Sequence, residues 1–115
     1  LALTYERQGK LDDAIGALND ILRQYPTNVT LKFELGRLYF NASKFDQAAG
    51  QFQDIVRAFP DYADAVFFYG FSLERLGRLQ PALDAYRHVL ELNPENGFIK
   101  TKVQQVEAAL GASGL

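Results

Sequence analysis

The sequence contains no cysteine, no methionine and no tryptophan, and only one histidine. Without cysteine there is no disulfide, no thiolate metal ligand and no thiol nucleophile, and the redox compartment is left open. A lone histidine, His88, cannot anchor an ordinary zinc site without further ligands. No apolar run approaches the roughly 20 residues that span a bilayer, and no signal-like segment opens the chain. Basic excess is missing as well. The net charge is −2, and no lysine or arginine cluster provides the surface that a nucleic-acid backbone requires. Nucleic acid is not an expected partner.

What remains is ordinary for a soluble domain: 115 residues, 48% hydrophobic and 23% charged, enough for one domain with a moderate core. The chain opens on Leu1-Ala2-Leu3-Thr4-Tyr5, which already reads as helix, so it is read as a piece of a longer protein.

The apolar residues recur with a long period. Pro26, Pro60 and Pro94 stand 34 residues apart, as do Ala14, Ala48 and Ala82. The same interval relates Leu18, Phe52 and Tyr86; Ile21, Ile55 and Val89; Leu11, Phe45 and Leu79; and Tyr5, Tyr39 and Leu73. Gly36 and Gly70 match too, with Ala2 in the equivalent place. So many columns of like size and chemistry mark a structural repeat.

Each period reads as two helices. Leu31, Leu35, Leu38 and Tyr39 recur at helical spacing over Val29 to Ala42. After Ser43-Lys44, Asp46 is placed to cap a second helix with Ala48, Phe52, Ile55 and Val56 on one face. Pro60 ends it, having no N–H to donate. In the next copy Gly77 stands at the reversal, and Pro81 falls in a first turn, where its missing N–H costs little. Gly16 and Gly50, one period apart inside second helices, admit two readings: tolerated surface glycines, or places where another chain comes close.

Leu35-Gly36-x-x-Tyr39, Ala48-x-x-x-Phe52 and Pro60 resemble the tetratricopeptide repeat signature in order and spacing. Tyr69-Gly70-x-x-Leu73, Ala82-x-x-x-Tyr86 and Pro94 repeat it, and the first copy enters midway at Leu1-Ala2-x-x-Tyr5. The family's large aromatic near the start of the first helix is Lys32 in one copy and Val66 in the next, which weakens local packing. The resemblance covers Leu1 to about Leu110. It implies an all-α fold, a right-handed superhelical solenoid of antiparallel helix pairs. The expected division is a partial repeat over 1–28, repeats over 29–62 and 63–96, and a C-terminal capping helix and tail over 97–115. In that last segment Ile99, Val103, Val106 and Leu110 form one narrow stripe, leaving the outer face polar, as a terminal repeat requires. Residues 111–115 read as a frayed tail.

No constellation for catalysis stands out. His88 takes the place of Asp20 and Asp54 in the other copies, which implies a solvated position. Asp12 and Asp13 read as opening a helix, where negative charge suits the macrodipole, and Asp61 and Asp64 do the same before the third copy. No phosphate-binding loop or cofactor motif is present. The expectation is a non-enzyme without cofactor.

In solenoids of this family the first helices of successive repeats line a concave groove, which the resemblance extends to this chain. Beyond their packing stripes those helices carry surplus aromatics: Phe33 and Phe40 in one copy, Phe67 and Phe71 in the next, with Phe68 between the two faces. The period sets Phe33 beside Phe67, a second row of Leu3, Arg37 and Phe71, and a third of Arg7, Asn41 and Arg75. Aromatic and arginine anchors dominate protein interfaces. The expected activity is to bind an apolar peptide or helix, with an acidic residue near Arg37 or Arg75. Removing Phe67 and Phe71 is then expected to leave stability almost untouched. The family's clamp for a C-terminal carboxylate uses lysine and asparagine where this chain has Phe33, Phe67, Arg37 and Phe71, so it is not reproduced. The alternative is a self-associating module, a homo-oligomer whose repeats stack. Tyr25-Pro26 and Phe59-Pro60 resemble repeat ends of bacterial envelope proteins, so the expected location is a bacterial cytoplasm or envelope.

Overall fold

The computed structural model describes the backbone of residues 2–113 and the side chains of residues 8–111. Among the described residues there are six helices and no strand: α1 (Ala2–Gln24), α2 (Val29–Asn41), α3 (Phe45–Ala58), α4 (Ala63–Arg75), α5 (Leu79–Leu92) and α6 (Gly97–Ser113). Each helix packs on the next in sequence, and α2 also meets α4. The radius of gyration, 15.4 Å, exceeds the ~13 Å of a compact domain of this size, so the helix pairs stack into an elongated solenoid.

The helix ends follow from particular residues. Asn28 and Asn96 accept from the N–H groups of Leu31 and Ile99, capping α2 and α6. α2 and α4 both end in a left-handed residue, Ser43 (φ 60°) and Gly77 (φ 79°). In each, two backbone bonds close the turn: Ser43 N to Phe40 O with Lys44 N to Tyr39 O, and Gly77 N to Glu74 O with Arg78 N to Leu73 O. Asp46 does not cap α3. The cap position is Lys44, with no side-chain bond, and Asp46 lies in the first turn, where its charge meets the positive helix end.

The first copy departs from the two-helix pattern. α1 runs unbroken through Gly9, the counterpart of Ser43 and Gly77, so Asp12 and Asp13 sit inside a helix and do not open one. Glycine permits the left-handed turn without demanding it. At the other end, α6 continues through Gly111 to Ser113 instead of fraying there. Residues 114 and 115 lie outside the described residues.

The core forms three clusters in a row. Ile15, Leu35 and Ala42 join α1 to α2; Ala48, Phe52, Ile55 and Ala65 join α3 to its neighbours; Val66, Leu73, Tyr86, Val89, Ile99 and Val106 are among those joining α4, α5 and α6. Phe52 and Tyr86 are fully buried, each worth about 1.5–3 kcal/mol of transfer free energy. They pack against the small residues of the facing helix. A Cβ on Gly36 would lie 2.7 Å from Phe52 Cζ, and one on Gly70 would lie 3.0 Å from Ala85 Cβ. Gly16 and Gly50 differ, for a Cβ there would meet nothing within 4 Å. Gly50→Ala should therefore raise stability by about 1 kcal/mol, the helix-propensity difference, read from urea denaturation.

Candidate protein-binding groove

Phe33 and Phe40 on α2, and Phe67 and Phe71 on α4, are half-buried and belong to one chain of ring contacts. Phe33 stacks on Tyr62 at 5.6 Å and meets Phe52 and Phe68 edge-on at 5.5 and 5.7 Å. Phe68 touches Phe67 at 5.1 Å, Phe67 meets Phe71 at 5.6 Å, and Phe71 meets Phe40 at 4.8 Å. Phe67 also reaches Phe98 of α6 at 6.0 Å. Phe33 and Phe67 are thus linked through Phe68, which bridges packing face and open face. Such ring pairs contribute beyond their buried area, so these rings also support the fold. Their removal will cost stability, contrary to the reading of them as surplus.

Arg37 and Asn41 are exposed, as is Arg75. Arg37 pairs with Glu34 at 3.1 Å, and Arg75 lies 5.5 Å over the ring of Phe45. Side chains of Leu3 and Arg7 lie outside the described residues. The remaining seven candidates therefore make an aromatic floor over α2 and α4, with Arg37 and Arg75 at its margin.

Three contributors were not expected. Phe98 is 58% exposed and extends the floor onto α6. Its period counterparts are Thr30 and Asp64, so the repeat gives no signal for it. Tyr62 caps the floor over Phe33. Lys102, which lies outside the apolar stripe of α6, points inward, 3.3 Å from Glu74 and 4.8 Å from the Phe71 ring centre. Between α4 and α6 a cleft of about 200 Å³ is lined by Phe67, Phe98, Asp64, Asn93 and Asn96. Small-molecule sites usually run to ~300–1,000 Å³, so this cleft suits one large side chain of a longer ligand.

His88 is not freely solvated. Its Nε2 lies 2.9 Å from the Pro60 carbonyl and 3.2 Å from Asp61, while Nδ1 lies 3.2 Å from Glu91, fastening α5 to the turn before α4. The Glu91 bond, then the Pro60 carbonyl, hold the imidazole pKa above its usual value. A raised folded pKa contributes stability that is complete below the unfolded value near ~6.5 and lost as pH rises through the folded value. His88→Gln should therefore lower the melting temperature more at about pH 5.5 than at about pH 8.5. The ring is about one-third exposed, so the difference will be small.

Among the described residues no group of three histidine, aspartate or glutamate side chains is placed to hold a metal ion, and no helix is long and apolar enough to cross a membrane.

Comparison with known proteins places this arrangement. A family model described as tetratricopeptide repeat matches residues 33–97, and a second of the same description matches residues 1–38. Among solved structures, the first TPR of Spaghetti (RPAP3), bound to the HSP90 peptide SRMEEVD, is 29% identical; the TM-score is 0.82, covering 94% of this chain and 86% of that one. MamA AMB-1 is 27% identical with a TM-score of 0.83, covering 95% of this chain and 60% of that one. A further MamA crystal structure, 24% identical with a TM-score of 0.84, covers 94% and 63% and supports the fold alone. The chain spans about three-fifths of those MamA chains. A search of the curated proteins gives no match. Both family models and the shared helical-repeat fold agree: the chain belongs to the tetratricopeptide repeat family.

Proposed function

We propose that this chain is a non-catalytic module that binds an apolar peptide or helix of another protein across α2, α4 and the start of α6. The observation that carries this reading is the continuous, half-exposed aromatic floor from Phe33 to Phe98. Rings already held by their neighbours lose little freedom on binding, which favours them as anchors. Leu3, Arg7, Phe33, Arg37, Phe40, Asn41, Phe67, Phe71 and Arg75 are the proposed contact residues, within repeats taken as 29–62 and 63–96. The arginines lie at the margin, where an acidic residue of the ligand gains orientation more than affinity.

The neighbour from Spaghetti (RPAP3) carries an HSP90 peptide, SRMEEVD, rich in acidic residues at its end. Here phenylalanines and Arg37 stand where a carboxylate clamp would need lysine and asparagine, so the ligand class differs. Selection from a displayed peptide library should return segments with apolar residues at fixed spacing, and SRMEEVD should not compete with them. Recovery of sequences alike only in a C-terminal carboxylate would reject the proposal.

A further inference from the structure

One register position changes chemistry from helix to helix. At the place of Phe68 in α4, one period away on either side, stand Glu34 in α2 and Lys102 in α6. Phe68 rests on the preceding pair through Phe40 (6.3 Å) and Phe52, on which it stacks at 5.4 Å. One period later Phe40 has become Glu74 and Phe52 has become Tyr86. Their contacts are polar. The Tyr86 hydroxyl donates to Glu74 Oε1 at 2.6 Å, and Lys102 Nζ donates to the same oxygen at 3.3 Å. The Lys102 and Glu74 side chains are only 16% and 24% exposed. Burial and the Glu74 bond keep the Tyr86 phenol neutral far above its usual range, so it remains a donor. All three places have changed together, from an aromatic trio to an ionic, hydrogen-bonded one.

We propose that this trio is a stacking address: the α4–α5 pair accepts a helix with a cation at the Lys102 place, and thereby reserves its open face for α6 against a second copy of this chain. The alternatives each lose something specific. A helix like α4, docked there, would set Phe68 against Glu74 and leave a carboxylate shielded from water without its ammonium. Breaking one partner of a shielded pair costs far more than the pair itself is worth. A helix like α2 would set Glu34 against Glu74, like charge on like. Conversely, α6 docked on α2 and α3 would bring Lys102 among Phe33, Phe40 and Phe52 with no carboxylate beside it. Discrimination therefore comes from mismatches in the wrong pairings as much as from the right one. It holds whether or not the groove takes a peptide.

The test is rescue within the full chain. Lys102→Phe alone should lower the melting temperature by roughly 5–10 °C. The triple variant Glu74→Phe, Tyr86→Phe, Lys102→Phe rebuilds the Phe40–Phe52–Phe68 trio one period on, and should regain most of that loss. Lys102→Phe at the wild-type melting temperature would overturn the address. A triple variant no more stable than Lys102→Phe would overturn it too, because mere crowding at Lys102 would explain both. Sedimentation of the wild type over a concentration series should give one mass, and a mass that climbs with concentration would refute the exclusion of a second copy.

Discussion

Phe52→Ala is expected to lower the unfolding free energy by about 3–5 kcal/mol, the cost of emptying a fully buried aromatic site. The side chain has no exposed surface and packs directly against Gly36 of α2. That glycine makes the prediction sharper. A methyl on Gly36 would come within 2.7 Å of the Phe52 ring, so Gly36→Ala should itself cost about 1–3 kcal/mol through overpacking. The two sites share one volume, and their effects should not add. Gly36→Ala combined with Phe52→Leu should cost clearly less than the two changes measured singly. Urea denaturation at constant slope gives the coupling. Strict additivity would mean that the helices separate freely, and the close-approach account would fail. Gly70 faces the milder contact of 3.0 Å to a single methyl, Ala85 Cβ, and the Tyr86 ring edge at 3.1 Å, so Gly70→Ala should be cheaper than Gly36→Ala.

The second large effect concerns binding. Phe67→Ala with Phe71→Ala should weaken capture of a selected peptide by at least about 30-fold, the loss of one anchor worth ~2 kcal/mol. Both rings are half-buried and touch Phe68, Phe40, Tyr86 and Phe98, so stability will fall as well. Each should cost about half of a full core truncation, roughly 2 kcal/mol. Placing both in a Gly50→Ala background offsets part of that fall at an exposed site on α3. Calorimetric titration well below the melting transition then separates lost contacts from lost folding. If binding survives while stability drops by about 3–5 kcal/mol per ring, the rings are core and the groove reading is wrong.

Most of the fold could be read before any coordinates. Pro26, Pro60 and Pro94 set the period, Ala48 with Phe52 and Ala82 with Tyr86 set the packed faces, and Gly77 marked a reversal that the backbone makes. The misreadings share a cause. Gly9 matches Gly77 by position, yet its chain continues as helix, because a permissive residue leaves the outcome to packing. Asp46 looked like a cap, but the cap lies two residues earlier at Lys44. For the proposed groove, the pattern singled out Phe33, Phe40, Phe67 and Phe71, which ring contacts through Phe68 link into one chain. It did not find Phe98, whose counterparts are polar, or Lys102, whose partner Glu74 lies 28 residues away on another helix. Periodicity compares a residue with its own counterparts and is silent about which unlike residues meet.

Because no core cluster of the described residues contains both α2 and α6, the two helices are tied only through the helices between them. The width of the aromatic floor is then the sum of small tilts at successive helix joints, as in a spring whose coils are in series. A ligand long enough to lie on both Phe33 and Phe98 would feel that compliance, and its affinity would carry the elastic cost of setting every joint between them.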